Sequence, residues 1–113
     1  MIAARRQVEE TVARLVVLYK TPVDPAAFDR YYAGHHIPIA KKLPGLKKYE
    51  VSRGAVATPA GPSPFHLIAT LHFDSIDAIQ KAFASPEGQA AAGDVALFAT
   101  GGADMIMFDD AEV

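Results

Sequence analysis

The sequence contains no cysteine, and this absence excludes several kinds of site at once. Disulfides, zinc–thiolate sites, iron–sulfur clusters and thiol nucleophiles all need cysteine. A chain without disulfides suits a reducing compartment, so we expect a cytoplasmic protein. Tryptophan is absent as well, and 113 residues are enough for one domain with its own hydrophobic core.

The sequence also lacks an excess of basic residues and a long apolar run. Eleven lysine and arginine residues stand against thirteen aspartate and glutamate residues, which gives a net charge of −2. Nucleic-acid binding usually needs a basic patch, so we expect no nucleic-acid partner. No apolar run approaches the roughly 20 residues of a membrane-spanning helix, so we expect no membrane partner. Residues 1–11 are expected to form a tail before a single domain over residues 12–110.

Capping and turn signals divide that domain into alternating strands and helices. Asp24-Pro25 and Ser85-Pro86 each combine a capping side chain with a proline at the first helical position. We predict a break in the first helical region near Gly34, and a loop over residues 54–64, which contain three prolines and two glycines. The predicted strands cover residues 12–20, 46–53, 65–73 and 103–108, and the predicted helices begin at residues 25, 75 and 86.

This order of elements, β-α-β-β-α-β, predicts an α+β protein of the ferredoxin-like design. Such a fold has a four-stranded antiparallel sheet with helices on one face. The first strand is apolar on both faces, and an apolar second face of this kind is expected to be covered by another surface. We therefore expect a homodimer that forms through the open face of the sheet and leaves room for an apolar pocket.

The adjacent pair His35-His36 raises the question of a metal site. Neighbouring residues on a regular helix point about 100° apart, so both rings cannot address one metal ion. His66 and His72 lie on a predicted strand, roughly 20 Å apart, which is too far for a shared metal ion. The sequence therefore predicts no metal site.

A single imidazole with a tyrosine neighbour remains as the candidate chemistry. Tyr32 and His36 share one helix face, since they are four residues apart. A histidine near its ordinary pKa can move protons on and off a small organic compound. His35 lies off that face and is expected at the helix end or the surface. The face of the third strand opposite its apolar residues is expected to look toward the open side of the sheet and to line the pocket. With Met105 of the last strand, it supplies the predicted substrate-binding residues His66, Ile68, Thr70 and His72, although His66 and His72 could equally lie in solvent at the ends of the strand.

The segment from Phe28 to Val51 carries Tyr32, the step His36-Ile37-Pro38, the turn Leu43-Pro44-Gly45-Leu46 and Tyr49. Together with Ser85-Pro86-Glu87-Gly88, Asp94 and Phe98-Ala99, it resembles the EthD family over about residues 12–108. The resemblance implies a dimeric α+β barrel, in which two sheets pack face to face and each protomer holds a pocket. It also places the motif histidine at His36. Families that share this barrel include muconolactone isomerases, cofactor-free quinone-forming monooxygenases, fungal polyketide decarboxylases and heme-degrading enzymes, so the resemblance leaves the reaction open.

Three functions are consistent with these residues. The first is an enzyme without metal or cofactor that acts on a hydrophobic carbonyl, phenolic or lactone compound as an oxidoreductase, isomerase or decarboxylase. His36 would be its acid/base group, and Tyr32 would orient His36 or bind a substrate oxygen. The second is a non-catalytic binding or accessory protein of a degradation pathway, in which the His36 ring is bonded to a backbone carbonyl. The third is heme binding, with a histidine as axial ligand, although no propionate site is evident.

Overall fold

The computed structural model describes residues 12–113, and the predicted tail of residues 1–11 lies outside the described residues. Strands and helices alternate in the order expected from the sequence. The strands of the main sheet are β1 (Ala13–Lys20), β2 (Lys48–Val51), β5 (Phe65–Phe73) and β6 (Ala103–Asp109). The helices are α1 (Pro25–Tyr31), a π-helical turn (Tyr32–His36), α2 (Ile37–Ala40), α3 (Ile76–Ala84) and α4 (Pro86–Phe98).

The main sheet is antiparallel throughout, with strand order β2-β5-β1-β6. Val17 of the central strand β1 pairs with Ala69 on one side and Met105 on the other. The helices pack on one face of this sheet, so the ferredoxin-like α+β fold is confirmed. Within residues 12–113, no helix has both the length and the apolar character needed to cross a membrane.

The helices begin where the capping signals predict. The Asp24 side chain accepts a hydrogen bond from the backbone N–H of Ala27, and Pro25 opens α1. Ser75 caps α3 and Ser85 caps α4 in the same way. The short junction between α3 and α4 depends on Gly88, because a Cβ there would collide with the backbone of Ala82 and Phe83.

Two local predictions were wrong. The loop over residues 54–64 contains a small hairpin of β3 (Ala57–Thr58) and β4 (Gly61–Pro62), which Gly61 permits with a φ of 135°. The first helical region does not break at Gly34. It continues through the π-helical turn, which inserts one extra residue into the helix without interrupting it.

The two faces of the sheet differ in what covers them. The side chains of β1 alternate between a buried face under the helices and a half-buried face opposite. The buried face carries Leu15, Val17 and Tyr19, which join the main core. We call the opposite side the open face; its side chains include Val16, Leu18, Ile68, Thr70, His72, Ile106 and Phe108.

Candidate active site

A buried hydrogen bond between two side chains joins the π-helical turn to α4. The Nδ1 atom of His36 lies 2.8 Å from Oδ2 of Asp94, and both side chains are buried. The hydroxyl of Tyr31 donates to the other carboxylate oxygen of Asp94 at 2.6 Å. His35 is exposed, as expected, but its Nε2 atom also comes within 3.9 Å of Asp94. One carboxylate therefore organises three neighbouring side chains of the first helical region.

The pKa values of this pair define its protonation state. Burial lowers the pKa of His36 and outweighs the hydrogen bond to Asp94, which raises it. Burial raises the pKa of Asp94, but the hydrogen bonds from Tyr31 and His36 outweigh it and hold that pKa below its ordinary value. At neutral pH the pair is therefore a neutral imidazole beside a carboxylate. Because a carboxylate only accepts hydrogen bonds, Nδ1 of His36 carries the proton and Nε2 keeps its lone pair.

The π-helical turn positions these groups. Tyr32 and His36 lie four residues apart with ring centroids 5.3 Å apart, and the corresponding distance for Tyr31 and His35 is 4.7 Å. His35 and His36 both approach Asp94 on α4. On a regular helix two adjacent side chains point about 100° apart, so they would not approach one carboxylate equally well. Phe98 lies one turn after Asp94 on α4, and its ring centroid is 4.7 Å from that of His36. This contact helps to hold the His36 ring in place.

Three tyrosine hydroxyls form a second polar group beside His36. The hydroxyls of Tyr32 and Tyr49 lie 2.6 Å apart. The rings of Tyr19 and Tyr32 pack edge to face with their centroids 5.5 Å apart. Tyr19 comes from the end of β1 and Tyr49 from the edge strand β2, so the sheet supplies two members of this group and the π-helical turn supplies the third.

His36 and the three tyrosines line a small cavity between the helices and the sheet. The cavity volume is about 30 Å³, roughly the space that one water molecule occupies in the liquid. Its remaining walls are mostly apolar, so a charge formed inside would be weakly solvated. These walls include Leu43, Ala69, Leu71, Ala91 and Val95.

A wider apolar groove adjoins this cavity. It lies between α3 and the edge strand β6 and has a volume of about 480 Å³. Leu15, Phe83 and Met105 line both spaces, so they separate the groove from His36. A volume of several hundred Å³ suits a small organic ligand. The groove can therefore hold the body of a ligand whose reactive end enters the cavity.

The structure does not bring all the predicted site residues together. Tyr32, His36 and Met105 lie on the helical side of the sheet and share the cavity. Ile68, Thr70 and His72 lie on the open face, because their partners on β1 are the alternate residues that face away from the core. The prediction that all of them line one pocket with His36 was wrong, since the sheet separates the two groups. His72 pairs there with Glu50, with 2.7 Å between Nε2 and Oε1.

His66 also departs from its predicted position. The register shifts between Tyr19 and Lys20, which pair with Leu67 and Phe65, so His66 is the extra residue of a β-bulge. The bulge turns its ring toward α1, where Nε2 lies 2.7 Å from Oδ1 of Asp29. His66 therefore lies on the helical side, but outside the lining of the His36 cavity.

The partners of His36 did not follow from local patterns in the sequence. Asp94 entered only through the family resemblance, although an acidic residue on a helix of small apolar residues, one turn before Phe98, is a usable signal of a buried polar contact. Tyr19 and Tyr49 were interpreted as strand residues, and Tyr49 also as part of the family resemblance. Their meeting with Tyr32 depends on strand pairing, which no local pattern reveals. The expected backbone partner of a structural His36 is replaced by a carboxylate.

Solved structures below 25% identity share the fold. SnoaB of Streptomyces nogalater, described as a cofactor-independent oxygenase, is 15% identical, covers 92% of this chain and 97% of its own, and has a TM-score of 0.65. A protein from Bacteroides fragilis, described as dimeric and ferredoxin-like, is 18% identical, with 89% and 98% covered and a TM-score of 0.62. At these identities the likeness concerns the fold alone, and it agrees with the observed sheet.

Closer relatives identify the family. An uncharacterized 11.0 kDa protein from the thcB-thcC intergenic region of Rhodococcus erythropolis is 39% identical over 100 residues, which cover 88% of this chain and 96% of the relative. The structure of an ethyl tert-butyl ether D (EthD) family protein from Bacillus halodurans is 32% identical, with 88% of this chain and 99% of the other covered and a TM-score of 0.82. The EthD domain model matches residues 20–102. On these matches and the fold that they share, the chain belongs to the EthD family.

Proposed function

We propose that this protein is an enzyme that moves protons on a hydrophobic carbonyl, phenolic or lactone compound without a metal or cofactor. The observation that carries the proposal is the buried pair of His36 and Asp94 at the wall of an apolar cavity. A SnoaB structure of the same fold is described as a cofactor-independent oxygenase, which is compatible with such chemistry on this scaffold.

His36 acts as the general base in this proposal. Its Nε2 atom has no hydrogen-bond partner among residues 12–113, and the neutral ring can accept a proton there. The substrate loses a proton either from an O–H group, which leaves the electron pair on that oxygen, or from the carbon next to a carbonyl. In the second case the C–H electron pair forms a C=C bond and the C=O π pair moves to the oxygen as an enolate. Asp94 then faces an imidazolium and stabilises it. Return of the proton to a different substrate atom completes an isomerisation, and the anion is also the form of a phenol that reacts most readily as an electron donor.

The cavity dimensions determine how a substrate would lie. A space of about 30 Å³ admits one substrate oxygen or the reacting carbon but not a ring. The apolar body would occupy the groove between α3 and β6, and the head would pass between Met105 and Phe83. This arrangement favours substrates with one reactive polar end and an apolar remainder.

Proton exchange with solvent tests this function directly. We expect the protein to accelerate the exchange of the α-protons of apolar ketones, such as 2-tetralone, for deuterium in D₂O, followed by NMR.

A Met105→Trp substitution narrows the passage between the groove and the cavity and should raise KM about 10-fold, with kcat little changed. The matched variant Leu97→Trp adds the same ring at a side chain that is 73% exposed and lines neither space, and it should leave KM unchanged.

Stable binding of ketones, phenols and lactones without any exchange would contradict the enzyme and favour the accessory binding protein. Equal KM values for Met105→Trp and Leu97→Trp would contradict the placement of the substrate in the groove.

We also infer that the open face is covered by a second copy of this chain. Its central strands carry the apolar residues Val16, Leu18 and Ile68, and Ile106 of the edge strand remains 52% exposed in a single chain. An apolar face of this kind normally marks an interface. A Bacteroides fragilis protein of the same fold is described as dimeric, which supports the inference.

Solution mass tests the dimer. We expect light scattering of the wild type to give twice the mass of the chain, because burial of the apolar faces drives association. An Ile106→Asp variant would bury a carboxylate in the interface and should be monomeric at the same concentration. Leu97→Asp places the same charge on the helical side and should remain dimeric. A monomeric wild type, or a dimeric Ile106→Asp variant, would contradict this interface.

A further inference from the structure

We propose that Tyr19, Tyr32 and Tyr49 form a subsite that binds the negatively charged oxygen of the substrate. The subsite selects compounds whose oxygen becomes anionic when a proton leaves, namely phenols and ketones that form enolates. This inference rests on the proposed function, since it identifies where the charge goes after His36 takes the proton. None of the sequence features assigned such a role to Tyr19 or Tyr49.

The three tyrosine hydroxyls have more protons than their own hydrogen bonding uses. Each phenol hydroxyl offers one proton, so the three residues supply three. The hydrogen bond within the cluster, between the hydroxyls of Tyr32 and Tyr49, uses one of these protons. Within residues 12–113, no acceptor outside the cluster is hydrogen-bonded to these hydroxyls. Two of the three protons are therefore available to an acceptor in the cavity that all three residues line.

The surroundings keep these hydroxyls protonated, as a donor site requires. Burial raises the pKa of Tyr19, of Tyr32 and of Tyr49 above the ordinary value for a tyrosine, because a phenolate would lose its hydration. The cluster therefore donates to an anion and does not compete with the substrate for ionisation. Donors fixed in advance in an apolar cavity stabilise a developing charge more than mobile water does.

The position of the cluster relative to the base completes the site. The Tyr32 ring lies 5.3 Å from the His36 ring, centroid to centroid, and both line the same cavity. A cavity that holds one water molecule also holds one substrate oxygen. A phenol oxygen bound to the tyrosines would thus hold its own proton beside His36. A bound carbonyl oxygen would hold the neighbouring C–H group there.

Binding of 4-nitrophenol and nitrobenzene tests the subsite, because the two probes share their ring and differ in the hydroxyl. Titration calorimetry above the pKa of 4-nitrophenol supplies the phenolate ready-made, so the measurement does not depend on proton removal by His36. We expect the wild type to bind the phenolate more tightly than nitrobenzene. Loss of a hydrogen bond to a charged group changes affinity about 10-fold or more, so this preference should fall by that factor in Tyr49→Phe or in Tyr19→Phe.

Tyr19 and Tyr49 are both substituted because one free proton is on Tyr19 and the other is on whichever of Tyr32 and Tyr49 accepts the hydrogen bond between them. The control Thr58→Val removes a hydroxyl that bonds Gly61 in the distant hairpin, and it should leave the preference unchanged. No preference in the wild type, or a preference that survives both tyrosine substitutions, would overturn the subsite. Failure of the proposed function is recognised separately, by proton exchange that persists in a variant lacking the His36 imidazole.

Discussion

The His36→Asn variant is expected to lose about 10²–10⁴-fold of the proton-exchange rate, the usual contribution of a general base. The asparagine side-chain N–H₂ can take the place of Nδ1–H and keep the hydrogen bond to Asp94, while the basic Nε2 atom disappears. The variant therefore removes the base but keeps the hydrogen bond that supports the folded structure. Exchange rates by NMR and a melting curve on the same sample provide the measurement. Full exchange activity in a folded His36→Asn protein would exclude His36 as the base.

Asp94→Asn is the companion variant, because Asp94 acts through His36. An asparagine can donate to Nδ1 and so favour the tautomer with the proton on Nε2, which removes the lone pair from the cavity. The pH profile distinguishes this positioning role from a structural one. In the wild type, exchange should fall as the pH drops below the pKa of His36, because the protonated ring is no base. Without the carboxylate, which raises that pKa, the fall should move to lower pH. An unshifted profile would contradict the role of Asp94.

Phe98→Ala is expected to destabilise the folded protein by about 3–5 kcal/mol, the range for removal of a buried aromatic ring. Phe98 is 6% exposed and lies at the centre of the aromatic core. Its ring centroid is within 5.7 Å of those of five other rings, those of Tyr19, Phe28, Tyr31, Tyr32 and His36. Removal of this ring leaves a cavity and releases the ring of His36, so activity should fall with stability. Urea unfolding gives the change in free energy from the midpoint and slope.

The neighbouring residue provides the control. Leu97 precedes Phe98 on α4 but is 73% exposed, and Leu97→Ala should change stability by no more than about 0.5 kcal/mol. The two variants are compared at one protein concentration, because dimerisation makes apparent stability depend on concentration. Equal destabilisation by the two substitutions would contradict the core position of Phe98.

Much of the fold follows from local patterns in the sequence. β5 has the predicted bounds, and the caps at Asp24, Ser75 and Ser85 begin the helices where they were expected. These features depend on neighbouring residues: a side chain that reaches the first turn of a helix, a proline with a fixed φ, and alternation along a strand. The hairpin over residues 57–62 was not predicted, because prolines and glycines usually indicate an irregular loop. The same residues also permit two short strands to pair at a bend.

The candidate site was only partly predictable. The spacing of Tyr32 and His36 indicated one face of a helix, and that pair does share the cavity. The bulge at His66 shows the limit of strand alternation, because one extra residue changes the side toward which a ring points. For the same reason, the face of a strand that meets a pocket cannot be determined until its register is known.

The sequence by itself determined the order of the elements, the helix starts, the apolar character of both sheet faces and the choice of His36 over His35. Only the tertiary structure decided that Asp94, 58 positions away along the chain, fixes the tautomer of His36, and that Tyr19 and Tyr49 meet Tyr32. The physical reason is distance along the chain. Capping and periodicity act between residues a few positions apart, whereas the protonation state of a buried histidine depends on groups that only the folded chain brings within hydrogen-bond distance.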